Sequence, residues 1–158
     1  MLLLNIILVI ALLGFVGTGL KDGFIHTLGR IVGAILGFLA ARAWSIGLAP
    51  LFAIVLPYGW ARLVAFLVIL LIVTRLVGWL FKLADGAFRI ISFIPFLKSI
   101  NNVLGAILGI VEGILVLGGT MWTLINFNLI ANATNYINQS TIAHWILIAF
   151  QKALAFVL

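Results

Sequence analysis

Three charged residues, Arg30, Arg75 and Glu112, each lie inside a long run of Leu, Ile, Val, Ala and Gly. On the gentlest scale, a charge at the centre of a membrane-spanning helix costs about 2.5–3.5 kcal/mol, so each of the three calls for compensation. The pattern predicts an intramembrane ion pair or triad, with Glu112 held by Arg75, Arg30 or both. At about 1.5 Å per residue, Arg30 lies roughly 9 Å, Arg75 roughly 12 Å and Glu112 roughly 13–14 Å from the cytoplasmic end of its helix. Such a cluster can fix helix register while its arginines partly snorkel to headgroups. It can instead line an ion or proton pathway, since intramembrane ionisable groups often mark one. Independent snorkelling without pairing is the third reading.

Other chemistry is sparse. His26 and His144 have no second ligand at metal spacing and read as interfacial polar residues, so no metal is expected. There is no Ser/His/Asp set, no phosphate loop and no pair of carboxylates at a shared site. No cofactor and no enzymatic activity are expected. The absence of cysteine removes disulfides and thiol catalysis.

These charges must be positioned by membrane helices. Of the 158 residues, 66% are hydrophobic and 8% charged, against about 25% charged in a soluble domain. The expected fold is an all-α integral membrane protein, a single membrane domain over 1–158 with four transmembrane helices and interfacial amphipathic helices. The spans are expected at about 1–20, 24–43, 61–83 and 103–125, with interfacial segments at about 44–60, 84–100 and 142–158. The first run lacks a basic leader and a small-residue cleavage site, so it reads as a span rather than a signal peptide. Lys21-Asp22-Gly23 is short enough to force an antiparallel hairpin. Pro50 and Pro57, with Trp44, Tyr58 and Trp60, mark the 44–60 segment as broken and interface-seeking. In 84–100, Asp85, Arg89 and Lys98 interleave with Phe88, Ile91 and Phe96, the pattern of a short surface helix and a turn. Asn126 to Thr141 is the one long polar run and belongs in water; its Asn-x-Ser/Thr matches at Asn132 and Asn138 carry no weight. The 142–158 stretch is of borderline spanning length, with a fifth span as the alternative to an interfacial helix.

Glycines at four-residue spacing supply the packing faces: Gly29, Gly33 and Gly37 in the second span, and Gly105, Gly109 and Gly113 in the fourth. Without side chains, such faces let backbones approach closely, which makes the second and fourth helices natural partners. The formal net charge of +6 comes from single basic residues near helix ends. It points to lipid headgroups rather than nucleic acid. Lys21, Lys82, Arg89 and Lys98 outnumber Arg42, Arg62 and Lys152 on the opposite side. Both termini are therefore expected outside the cytoplasm.

Gly19-Leu20-Lys21-Asp22-Gly23-Phe24 after a first span, the glycine-rich second span, and Asn102-Val-Leu-Gly105-x-x-x-Gly109-x-x-x-Gly113 opening the fourth resemble the bacterial colicin V production protein (CvpA) family. The likeness covers nearly the whole chain. It implies a multi-pass inner-membrane protein of four helices, associated with colicin V production or export and with envelope integrity. The chain departs from the family pattern at four places. Asn5 stands where an Asp is frequent, Asp22 where a basic residue is usual, Asn101-Asn102 where Asp-Arg or Asn-Arg opens the fourth span, and Glu112 at a usually basic position. The function expected is that of a non-enzymatic accessory protein supporting toxin production or export or envelope homeostasis. Its partners would be the bilayer and other membrane proteins or further copies of itself. The alternative is a small homo-oligomeric channel or transporter, which needs a wetted polar face along at least one helix.

Overall fold

In a bilayer core every backbone N–H and C=O must find a partner within its own segment, so long apolar runs become helices. The computed structural model describes residues 2–89, 95–127, 129–130 and 133–157, and within these the side chains of 2–83, 99–127, 129–130 and 133–156. Helices α1 (Leu2–Asp22), α2 (Phe24–Phe52), α3 (Tyr58–Arg89), α4 (Pro95–Asn126), α5 (Ala133–Gln139) and α6 (Thr141–Val157) follow in order, with no strand among the described residues. Four of them, α1 to α4, include stretches long and apolar enough to cross a membrane. The protein is an all-α, multi-pass membrane protein.

Three helices run further than the sequence suggests. The broken segment expected at 44–60 is instead the end of α2, which continues without interruption through Pro50 to Phe52. Proline costs a helix one N–H···O bond and a steric clash, but Pro50 falls in the last turn and Ala53 still donates to Ala49 O at 3.0 Å. A short turn follows, in which Leu56 N–H donates to Phe52 O at 3.0 Å, and α3 starts at Tyr58 rather than at 61. The separate surface helix expected at 84–100 does not form: α3 carries on to Arg89 and α4 begins at Pro95, the first helical position that proline favours. The 90–94 part of that segment, with Ile91 and Ile94, lies outside the described residues, as do Asn128 and Asn132 of the polar run. That run is not uniformly irregular, since α5 forms within it and buries Ala133 and Ile137.

Contacts divide the chain into two compact units, 1–27 with 94–158, and 28–93. The first unit holds α1, the first turn of α2, α4, α5 and α6. Its core gathers Leu8 of α1, Met121 of α4, Ile137 of α5, and Ala143, Ile146 and Leu147 of α6. The amphipathic helix at the chain's end thus packs one face onto α1 and α4. The second unit is the hairpin of α2 and α3. Its apolar contacts include an edge-to-face pair of Phe38 and Phe66, with ring centroids 5.7 Å apart, and the fully buried Ala41, Ala49, Ala61 and Ala65.

Candidate functional site

Helix α4 is built around its glycines, and the partner they meet is α1. A Cβ on Gly105 would strike Gly19 O and come within 2.6 Å of the Gly23 carbonyl carbon. One on Gly109 would strike Phe15 O and reach 3.0 Å from the Val16 Cα, while at Gly113 it would meet Leu12 Cδ2 at 2.8 Å. The two helices therefore cross antiparallel with backbone against backbone, from the Gly23 turn down to the middle of α1. The expected pairing of the second and fourth spans is corrected by these contacts. In α2, a Cβ on Gly29 would meet Phe81 Cβ at 2.5 Å, one on Gly33 would meet Thr74 O at 3.3 Å, and one on Gly37 would meet Thr74 Cγ2 at 2.8 Å, so these three seat α3. A glycine face states that some backbone comes close and leaves open which one.

Glu112 lies on the same face of α4 as Gly105 and Gly109, at the level of Leu12 to Phe15, and is 6% exposed. Burial of an ionisable group in a span, and not on its lipid side, is the arrangement expected of a charge with a task. Measured along α1 from Gly23, that level is about 14 Å away. The carboxylate thus belongs to the midsection of the first unit. Arg30 and Arg75 belong to the second unit. There the contacts Gly29–Phe81 and Gly33–Thr74 set the register, which puts Arg75 opposite a point about two to five residues beyond Arg30, or about 3–8 Å along α2. Arg30 is half-buried, and Arg75 is exposed beside Gly78, which has nothing packed on it.

The turn between α1 and α2 is the most tightly specified part of the first unit. Gly23 takes a left-handed φ of 84°, a conformation that costs a side-chain-bearing residue and suits glycine. Its N–H donates to Gly19 O at 2.9 Å, and its own carbonyl accepts from Thr27 N–H at 3.1 Å and Thr27 Oγ1 at 2.8 Å. Asn101, at the start of the membrane part of α4, accepts the Phe24 N–H on Oδ1 at 3.2 Å, so it satisfies one of the donors left over at the start of α2. A Cβ on Gly23 would collide with the Asn101 amide. Replacement of Asn101 by Ala should cost about 1 kcal/mol, the usual worth of a helix cap. Asp, which keeps the acceptor, should cost less; thermal unfolding in detergent separates the two, and equal losses would remove the capping role.

At the other end of the unit, Ser140 does two jobs. Its Oγ accepts the Ala143 N–H at 3.2 Å as the N-cap of α6, and donates to Asn5 Oδ1 at 2.6 Å. That ties α6 to the start of α1 across the length of the chain. Sequence reasoning singled out Asn5 and Asn101 only as departures from a family pattern and missed both contacts. The Ser140-Thr141 pair before an apolar run was a readable cap signal; the partner at Asn5 was not readable. His144 faces Asn138 Oδ1 at 3.3 Å, while His26 is half-buried. Among the described residues no three of His, Asp and Glu gather as they would around a metal ion. The hydroxyls of Thr120 and Thr123 donate to Val116 O and Gly119 O, each at 2.8 Å, inside their own helix.

Compared with known proteins, the chain matches the family model described as Colicin V production protein over residues 4–151. No curated protein and no solved structure matches it.

Proposed function

The chain belongs to the colicin V production protein family, and from that membership we propose that it is a non-enzymatic accessory protein of the bacterial inner membrane. It supports toxin production or export, or envelope homeostasis, by assembling with other membrane proteins or with further copies of itself. The observation that carries this reading is where the polar atoms go. Thr27, Thr74, Thr120 and Thr123 turn their hydroxyls onto carbonyls of the preceding turn. The exposed side of α1 that carries Leu3, Ile7, Ile10 and Gly14 is apolar along its length. A conduit would need the opposite, a wetted polar face running the length of a helix. What favours a channel or transporter as the second reading is the buried carboxylate of Glu112 at mid-span.

The test is a deletion strain assayed for toxin export and for sensitivity to envelope stress, beside conductance of the purified chain in lipid. Loss of export or envelope resistance without conductance is the expected result. Conductance that disappears in Glu112→Gln would replace the accessory role with the channel. Both termini face the periplasm in this reading. The chain has no cysteine, so a single Asn135→Cys variant in the polar run reports the topology directly. It should react with a membrane-impermeant maleimide added to the periplasmic side, and protection there would invert the orientation.

A further inference from the structure

The tip of the α2–α3 hairpin is unusual for the connection between two spans. Connections in membrane proteins ordinarily emerge into water, yet every residue from Ala53 to Trp60 is exposed and nearly all are apolar. Ile54 and Val55 are 84% and 85% exposed. Trp44, Tyr58 and Trp60, three residues of the kind that settles at membrane–water boundaries, are exposed around them.

Two arginines place this tip relative to a bilayer. Phe38 and Phe66 touch; one turn further toward the tip on each helix are Arg42 and Arg62, both exposed. By the register of Gly29 with Phe81 and Gly37 with Leu70, Arg62 lies about three to six residues, or about 5–9 Å, nearer the tip than Arg42. From Phe24 to Ala41 is about 27 Å, close to the thickness of a hydrocarbon core. Arg42 thus stands at the acyl–headgroup boundary and Arg62 beyond it, among the headgroups. Beyond Arg42, α2 runs about 15 Å more to Phe52, which brings the helix to about 43 Å in all. That matches the roughly 40–45 Å of a bilayer with its headgroups included, and the average tilt of a spanning helix shortens it further.

We infer that the tip from Trp44 to Trp60 is a lipid-binding element seated in the headgroup layer, where Arg42 and Arg62 hold anionic phospholipid. The apolar side chains of Ile54, Val55 and Leu56 lie among glycerol and upper acyl carbons, and the indoles of Trp44 and Trp60 flank them. Charge complementarity selects the lipid: the layer carries two guanidiniums, and no acidic residue occurs between residues 43 and 61. This inference does not depend on the accessory role proposed above.

Full-length protein with Val55→Cys, a change at an exposed site in a cysteine-free chain, is spin-labelled and placed in vesicles of phosphatidylcholine with phosphatidylglycerol. Paramagnetic relaxation should be stronger from lipid-dissolved oxygen than from an aqueous nickel chelate. Stronger relaxation by the chelate would put the tip in water, and weak relaxation by both would mean that protein covers it; either result overturns the inference. The choice of lipid is read from a variant keeping Trp60 as its one tryptophan, with brominated phosphatidylglycerol or brominated phosphatidylcholine as quencher. Quenching should favour the anionic lipid by at least about twofold. Arg42→Gln with Arg62→Gln should bring the ratio to one, and Arg42→Lys with Arg62→Lys should preserve it. A ratio of one in the parent removes the anionic assignment.

Discussion

Gly105→Ala should destabilise the protein by about 1–3 kcal/mol, the cost of forcing a methyl group into a filled space, whereas Gly17→Ala should leave stability unchanged or raise it. The contrast matters because the intrinsic effect has the opposite sign: Ala is better than Gly in a helix interior by about 1 kcal/mol. At Gly17 nothing lies within 4 Å of the added Cβ, so that intrinsic gain is available in full. At Gly105 the new carbon meets the Gly19 carbonyl and the backbone of Gly23, the Cα at 2.8 Å. These are main-chain atoms of another helix and of its turn, and no rotamer change moves them. Relief requires α1 to separate from α4, which also draws Asn101 away from the Phe24 N–H. Gly109→Ala should behave like Gly105→Ala, since it meets Phe15 and Val16 backbone. Gly113→Ala should be milder, because the atoms in its way belong to the Leu12 and Phe15 side chains. Thermal unfolding of the four variants in one detergent tests the order. If Gly105→Ala proves as stable as Gly17→Ala, the close crossing of α1 and α4 is wrong.

That experiment also shows how far the sequence could be read. The first two helices were legible because Lys21-Asp22-Gly23 leaves no room for anything but a tight reversal between two apolar runs. The end of α2 was not, because Pro50 and the aromatic residues around it look the same whether they break a helix or sit in its final turn. Depth along the hairpin is legible only coarsely. Counting residues puts Arg75 about 3 Å deeper than Arg30, while the register is set by what fills each glycine notch, Phe81 at Gly29, the Thr74 carbonyl and Val77 at Gly33, and Thr74 at Gly37. Polar contacts between residues far apart in the chain, Phe24 with Asn101 and Asn5 with Ser140, leave no periodic trace. They follow from packing already in place, so only the acceptor and donor chemistry of the residues hints at them. Glu112 was legible as an anomaly and as a member of the glycine face, since three- and four-residue spacing decides that much.

Charge reversal at that position should have the largest effect of any single substitution in α4. Glu112 is the only acidic residue between Asp85 and the end of the chain, and its side chain is buried against the α1 side at mid-span. A lysine there would put an ammonium on a longer side chain into a buried place that a carboxylate now fills. Breaking a buried charged arrangement in this way costs about 3–5 kcal/mol, a large fraction of the roughly 5–15 kcal/mol that keeps a typical domain folded. Glu112→Lys should therefore fail to accumulate in the membrane or unfold well below the parent. Glu112→Gln keeps the shape and one acceptor oxygen and should lose about 1–3 kcal/mol, as for a polar group left partly unsatisfied. The pair is informative because the colicin V production family, by the resemblance described above, usually carries a basic residue at this place. If the site merely needed a charge of either sign, Lys would be accepted at least as well as Gln. A Glu112→Lys variant as stable as the parent would show that the carboxylate is replaceable by its opposite.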